Sequence, residues 1–270
     1  MTFRGAYLGP LGEMFMFAHM RGKRVTKTAR STTYKTTLGG RVRAQVSPLV
    51  LREWDCELPF SVPADVNRFK GLATGLYGLG PFSWVPVEAT VTNALSLGGS
   101  LPGPAHRSWT GTAEPAGAWR VPDLGMVRHS LAADGSTVSL ADAQVHPDFP
   151  VTGAVYVTGG RVVLQVRDAA GLILKTGVKE VPAGPSPVRV AVTVTALPAN
   201  AASARLVVSG ATQLGLPSIS WTDKACSWLP GAASNSVVVE GFDSDLMQLN
   251  PGKHMYETIS FTVKELDSDA

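Results

Sequence analysis

Five histidines are the first place to look for chemistry, because imidazole titrates near neutral pH and is the commonest side-chain metal ligand. They stand at His19, His106, His129, His146 and His254. None lies two or four residues from another histidine or from a cysteine, so no local zinc spacing exists and each reads as a surface or turn residue. Cys56 and Cys226 fall in opposite halves of the chain, which reads as two free, buried thiols. The run Gln144-Val145-His146-Pro147-Asp148 sets an acid near an imidazole, but Pro147 makes it a turn leading into a strand. No phosphate-cradling loop, nucleophile elbow, H-E-x-x-H or dinucleotide fingerprint occurs. The paired carboxylates of a glycosidase are spaced by the fold and not by the sequence. Here acids are sparse in the strands and gather at Asp243, Asp245, Asp267 and Asp269. Asp243 and Asp245 with backbone carbonyls have the chemistry for calcium, though a solvated loop accounts for them. The expectation is no enzyme: no catalytic residue, no cofactor and no metal.

Aromatic residues offer a different chemistry. Trp109, Trp119, Trp221 and Trp228 lie in the second half among Gly, Ser and Thr. The apolar face of a sugar ring matches a flat π-surface, so such residues either plug a sandwich core or stack on glycans. Trp221, inside Ser218-Ile219-Ser220-Trp221-Thr222, reads as core. Trp109 and Trp228, the latter in the loop before Pro230-Gly231, are the candidate glycan-stacking residues. Met14, Phe15, Met16 and Phe17 form a soft apolar run that reads equally as an oligomer interface or a buried strand.

The elements that position these residues are mainly strands. A length of 270 residues makes two domains the natural prior. Charged residues are 17%, below the usual share of about 25%, and Gly 28 with Pro 19 suits many short strands joined by turns. The net charge of +3 is too small and dispersed for nucleic acid. The cluster Arg21, Lys23, Arg24, Lys27, Arg30 lacks interleaved aromatics and reads as a solvated loop or arm. Met1 to Met20 carries Pro10 and Glu13 and no small-residue cleavage site, so no secretory signal is expected. No run of about 18 apolar residues predicts a membrane span. The expectation is a soluble protein made in a reducing cytoplasm.

Val50 to Phe60 alternates with period two, and Arg41 to Val46 reads as its hairpin partner through Ser47-Pro48. Pro63 to Leu79 reads as the one substantial helix, with Val66, Phe69, Ala73 and Leu76 as its apolar stripe; its glycines require packing against a sheet. Phe82 to Thr92 reads as a strand with Val85, Val87, Ala89 and Val91 on one face, and the domain boundary is placed near Thr92. Beyond residue 150 strands follow at Ala154–Thr158, Arg161–Arg167, Leu172–Thr176, Val188–Ala196, Ala204–Ser209, Ser218–Thr222, Ser236–Glu240 and Tyr256–Leu266. Gly159-Gly160 and Asp168 to Gly171 read as hairpin turns. The fold class is therefore mainly β: a split-barrel-like N-terminal domain with one helix, 1–92, then a β-sandwich jelly roll, 93–270.

The Arg-Glu-Trp strand, the helix after Pro63, the segment Leu79-Gly80-Pro81-Phe82-Ser83-Trp84-Val85 and the stretch Asn93-Ala94-Leu95 together resemble the distal tail proteins of siphophages. The likeness is to the minor tail proteins of phages infecting actinobacteria, with a second domain similar to a carbohydrate-binding-module or galectin-like jelly roll. Residues 100 to 150 fit it least. The resemblance implies a structural virion protein of the tail tip or baseplate, assembled in the bacterial host cytoplasm. It implies a homo-hexameric ring joining tail tube to tip, with tail tube, tail hub and tape measure as neighbours. A ring needs two different complementary patches on every copy. The alternative is a carbohydrate-binding adhesion protein that recognises host cell-wall glycans. Neither reading involves nucleic acid or a membrane.

Overall fold

The computed structural model describes residues 5–17, 25–37, 40–101, 109–111, 114–115, 119–121, 123–127, 130–250 and 254–266. In chain order the first strands are β1 (Ala6–Gly9), β2 (Phe15–Phe17), β3 (Val25–Thr36) and β4 (Val42–Ser61), followed by helix α1 (Pro63–Ala73). Then come β5 (Phe82–Val85), the short helices α2 (Val87–Val91) and α3 (Leu97–Ser100), and β6 (Glu114–Pro115), β7 (Trp119–Val121), β8 (Gly125–Val127) and β9 (Ser130–Ala132). The rest are β10 (Val138–Gln144), β11 (Val151–Val157), β12 (Gly160–Arg167), β13 (Ile173–Val181), β14 (Val188–Val194), β15 (Ser203–Ser209), β16 (Gln213–Ser220), β17 (Ser234–Asn250) and β18 (His254–Glu265). They divide into two compact units, Met1–Met14 with Ser83–Asn235, and Phe15–Phe82 with Ser236–Ala270.

The larger unit is a β-sandwich. One antiparallel sheet has the order β10-β15-β12-β13 and the other β14-β11-β16-β9-β6. Inward residues of both, among them Val155, Val157, Leu164, Val192, Leu206 and Leu214, form one core. Gly153 in β11 marks a close approach of the two layers: a Cβ there would lie 2.8 Å from Leu206 Cδ2 and 2.9 Å from Leu164 Cδ1. The strand β11 is buried at every position, because its outward face is roofed by Trp119, Val121 and Leu216 packed around Tyr156.

Asn93, fully buried, ties this unit together. Its Nδ2 donates to Pro217 O at 3.3 Å and Leu229 O at 2.9 Å, and its Oδ1 accepts from Leu95 N at 3.2 Å and Ile219 N at 3.1 Å. One side chain thereby satisfies four backbone groups that have no ladder partner at those positions.

In the smaller unit the strands run β17-β18-β4-β3, all antiparallel. The period-two pattern is realised: Arg52, Trp54, Cys56 and Leu58 are buried on β4, and Ile259, Phe261 and Val263 on β18. Helix α1 lies against this face through Phe69, whose ring centroid is 4.0 Å from Phe17 and 4.3 Å from Phe261. Arg52 looks misplaced on the buried face, but its Nε and Nη2 donate to Glu265 at 3.0 and 2.9 Å, and its backbone N–H to Glu265 at 3.1 Å. Its guanidinium also sits 5.0 Å from the Trp54 ring.

Several expectations are corrected. Residues 42–46 and 50–60 are one strand paired with β3 and not a hairpin; the register shift opposite Arg30 and Thr32 is a bulge that absorbs Pro48, which has no N–H to give. The helix stops at Ala73, six residues early, because Gly75 turns left-handed at φ +78°. Leu76, assigned to its apolar stripe, is 73% exposed. Tyr77 folds back over Gly71, where a Cβ would stand 2.6 Å from the Tyr77 ring. The expected strand 82–92 ends at Val85, since Pro86 opens α2. Thr90 and Thr92 hydroxyls then bond back to Val87 O and Glu88 O. Gly159-Gly160 carries the chain from one sheet to the other and makes no hairpin, whereas Asp168 to Gly171 is one. The boundary also moves. The division falls at Ser83, and Ser236–Ala270 belongs with Phe15–Phe82, because β18 finds its hydrogen-bonding partner in β4.

Glu265→Ala is expected to cost about 3–5 kcal/mol, because it removes the carboxylate paired with a buried guanidinium. Asn93→Ala is expected to cost about 3–5 kcal/mol through its abandoned backbone groups. Denaturant unfolding followed by tryptophan fluorescence reads both.

Candidate functional site

A cleft of about 400 Å³ opens on the outward face of the five-stranded sheet. Its floor is Tyr156 from β11 beside Arg189 and Ala191 from β14, with Tyr156 and Arg189 directly opposite in the ladder. One wall is the β7–β8 turn, Asp123 and Leu124; the other is the loop after β16, from Ala225 to Trp228. The hydroxyl of Tyr156 donates to Asp123 Oδ2 at 3.2 Å. Arg189 Nη2 donates to Ser218 Oγ at 3.0 Å, and its guanidinium carbon lies 5.7 Å from the Tyr156 ring centroid. Burial pushes the Tyr156 phenol up, with the Arg189 charge opposing, so at neutral pH it remains a protonated donor. Trp119 meets the Tyr156 ring edge-on at 6.5 Å. The register of β16 slips between its pairings with Ala154 and Tyr156, and Leu216 there takes φ +52°. That bulge turns Leu216 to the outer cluster and presents Pro217 O, which accepts Trp228 Nε1 at 3.1 Å. The Trp228 ring is thus held at the rim.

Of the sequence candidates, Trp228 lines this cleft and Trp109 does not. Trp109 packs against the sandwich core and donates its indole N–H to Gly99 O at 3.2 Å. The two rings belong to separate clusters and form no joint platform. Trp221 is fully buried, as its strand position predicts. Asp123, Tyr156 and Arg189 were not singled out from the sequence; the available signal was a basic residue on the outward side of a valine strand. Cys226 is exposed at the cleft wall and not buried, its thiol donating to Val91 O at 3.0 Å, while Cys56 is buried.

Within the Met14–Phe17 run, Phe17 is 2% exposed in its own unit's core, Phe15 packs 4.8 Å from Tyr77 and Met14 lies against the sandwich core. Met16 is 38% exposed. Asp243 and Asp245 stand on the paired strand β17 and not in a loop. Among the described residues no group of three His, Cys, Asp or Glu is placed to hold a metal ion. Lys27 lies on β3, paired with Asp55 at 2.7 Å and Glu53 at 3.3 Å. Arg21, Lys23, Arg24, His19, His106, His129, Asp267, Asp269 and the side chains of Arg30 and His254 lie outside the described residues. No helix among the described residues is long and apolar enough to cross a membrane.

No family and no curated protein matches the sequence. Among solved structures the chain is similar to the enzymatically active domain of tailspike protein 4 from bacteriophage CBA120. The identity is 14%, the match covers 47% of this chain and 21% of that one, and the TM-score is 0.35. A likeness of that size carries no argument about this chain's function. One expectation is corrected on other grounds: the exclusion of an enzyme rested on missing linear motifs alone. Folding assembles catalytic carboxylates from distant segments, so missing motifs are no ground for that exclusion, and it is withdrawn.

His146, in the turn before β11, is no isolated surface residue. Its ring lies 5.2 Å from Tyr7, 5.8 Å from Phe149 and 6.3 Å from Trp221, and its Nδ1 is 3.7 Å from Asp148. Burial pulls its pKa below 6.5, against a smaller upward pull from Asp148. The unfolded chain then takes up a proton that the folded chain resists, so His146 lends stability above about pH 6.5 that is lost as pH falls through the lowered value. Melting temperature recorded from pH 8 to 5 is expected to fall less steeply in His146→Gln.

Proposed function

We propose that the chain is a structural component of a phage tail tip or baseplate, whose smaller unit assembles with copies of itself into a ring. The observation that carries this reading is a bare hairpin. Tyr34 pairs with Ala44, Lys35 with Arg43 and Thr36 with Val42, yet residues 33–37 and 41–44 are exposed throughout, whichever face they point to. Tyr34 is 70% and Val42 64% exposed. A two-stranded ribbon on its own is marginal in water. Lys35 directly opposite Arg43 adds like-charge repulsion. Such an arm gains stability when a neighbour covers it and neutralises its charge, and a heterologous contact of that kind closes a ring when the rotation allows.

The segments that resemble siphophage tail proteins support the same reading. Phe82–Val85 is a fully buried strand and Asn93 is the fourfold hydrogen-bonded residue described above. The ring so proposed is homo-hexameric, joins tail tube to tip, contacts tail hub and tape measure, and resides in the virion. A second reading, recognition of host-wall glycans, is favoured by the cleft at Trp228, and both roles fit within one chain.

Native mass spectrometry and negative-stain imaging of the purified chain are expected to show a closed ring. Replacing residues 33–44 by a two-residue turn is expected to give monomers with an unchanged circular-dichroism spectrum. A chain that stays monomeric at all concentrations and joins no tail particle overturns the reading.

A further inference from the structure

We propose that the cleft of the sandwich unit binds a neutral saccharide, with Arg189 and Asp123 reading its hydroxyls and Trp228 stacking on its ring. This rests on the glycan reading and deepens it by naming the ligand class and the residues. The argument is one of charge. Arg189 and Asp123 line one cleft without forming an ion pair with each other; the phenol of Tyr156 is bonded to the acid and lies beside the guanidinium. Asp123 Oδ1 has no protein donor among the described residues, because the only bond of this carboxylate is the one that Oδ2 receives from Tyr156. The guanidinium has five N–H donors in a planar fork, and Ser218 takes one.

Each ligand class meets this pair differently. An anion gains Arg189 but meets the Asp123 carboxylate. A cation meets the reverse. An apolar ligand desolvates both charges with nothing to offer in return, which is costly. A polyhydroxyl ligand satisfies both: adjacent hydroxyl oxygens accept from the fork, and a hydroxyl proton goes to Asp123 Oδ1. The apolar parts of the rim are the partly buried Trp228 ring and Leu124, 37% exposed, and they suit the C–H face of a pyranose. A volume of about 400 Å³ lies in the range of small-molecule sites and holds one or two sugar rings.

The test uses the intact chain, with saturation-transfer NMR and calorimetry against neutral mono- and disaccharides (glucose, galactose, mannose, arabinose, N-acetylglucosamine, lactose) and against glucuronate. The expected result is binding of at least one neutral sugar. Arg189→Gln, Asp123→Asn and Trp228→Ala are each expected to weaken it about tenfold, equivalent to about 1.4 kcal/mol. Asp123→Asn, in a surface turn, guards against loss by misfolding, and a thermal melt confirms that each variant is folded. Sugar binding that all three folded variants leave intact overturns this site while the glycan reading stands. No binding of any sugar overturns both. Binding of glucuronate alone, strengthened by Asp123→Asn, marks an anion site and overturns the proposal.

Discussion

The sandwich unit depends on a single buried amide. Asn93 stands where the chain leaves α2 and enters the α3 segment, and there no strand neighbour offers its backbone a ladder. Its four hydrogen bonds reach β16, the loop after it and the residue two places on. A carboxamide fits because two donors and an accepting oxygen diverge from one planar group; an aspartate would lack the donors and carry a buried charge. Around this point Ala94 N donates to Ile219 O, Ala232 N to Asn93 O and Ala233 N to Leu95 O. Asn93 precedes every strand of the two sandwich sheets in sequence and is their latch in space.

The same latch reaches the cleft. Pro217 O accepts from Asn93 and also from the Trp228 indole, so the rim aromatic shares an anchor with the junction. The bulge at Leu216 and Pro217 makes this sharing possible, since an unbroken ladder would spend that carbonyl on a neighbouring strand. A locally irregular strand, backed by the tight interlayer contact at Gly153, is what gives the rim a fixed position.

What the sequence made legible follows from how local each feature is. The alternation in β4, β14 and β18 is the direct imprint of one buried face, and Trp221 was readable as core for the same reason. Alternation misled where proline intervened: Val85, Val87, Ala89 and Val91 keep period two, but Pro86 converts the run into a strand and a helical turn. At Ser47-Pro48 the opposite occurred, and a bulge carried the strand through an apparent turn. The domain boundary was out of reach because it depends on a pairing across most of the chain. The cleft was hidden for the same reason, since Asp123, Tyr156 and Arg189 are remote in sequence and only the ladder and the β7–β8 turn make them neighbours. Trp228 was visible because an aromatic next to Pro and Gly is conspicuous on its own.

The pairing of β4 with β18 has a consequence for synthesis. Arg52 and Glu265 are 213 residues apart, so a nascent β4 leaves the ribosome with Arg52 hydrated, Glu265 not yet made and its ladder open on the side that β18 will take. The whole sandwich is translated during that wait. Its strands pair among themselves, so it can fold as a unit in that interval. The smaller unit is therefore completed only after the sandwich, once β18 has been translated to pair with β4.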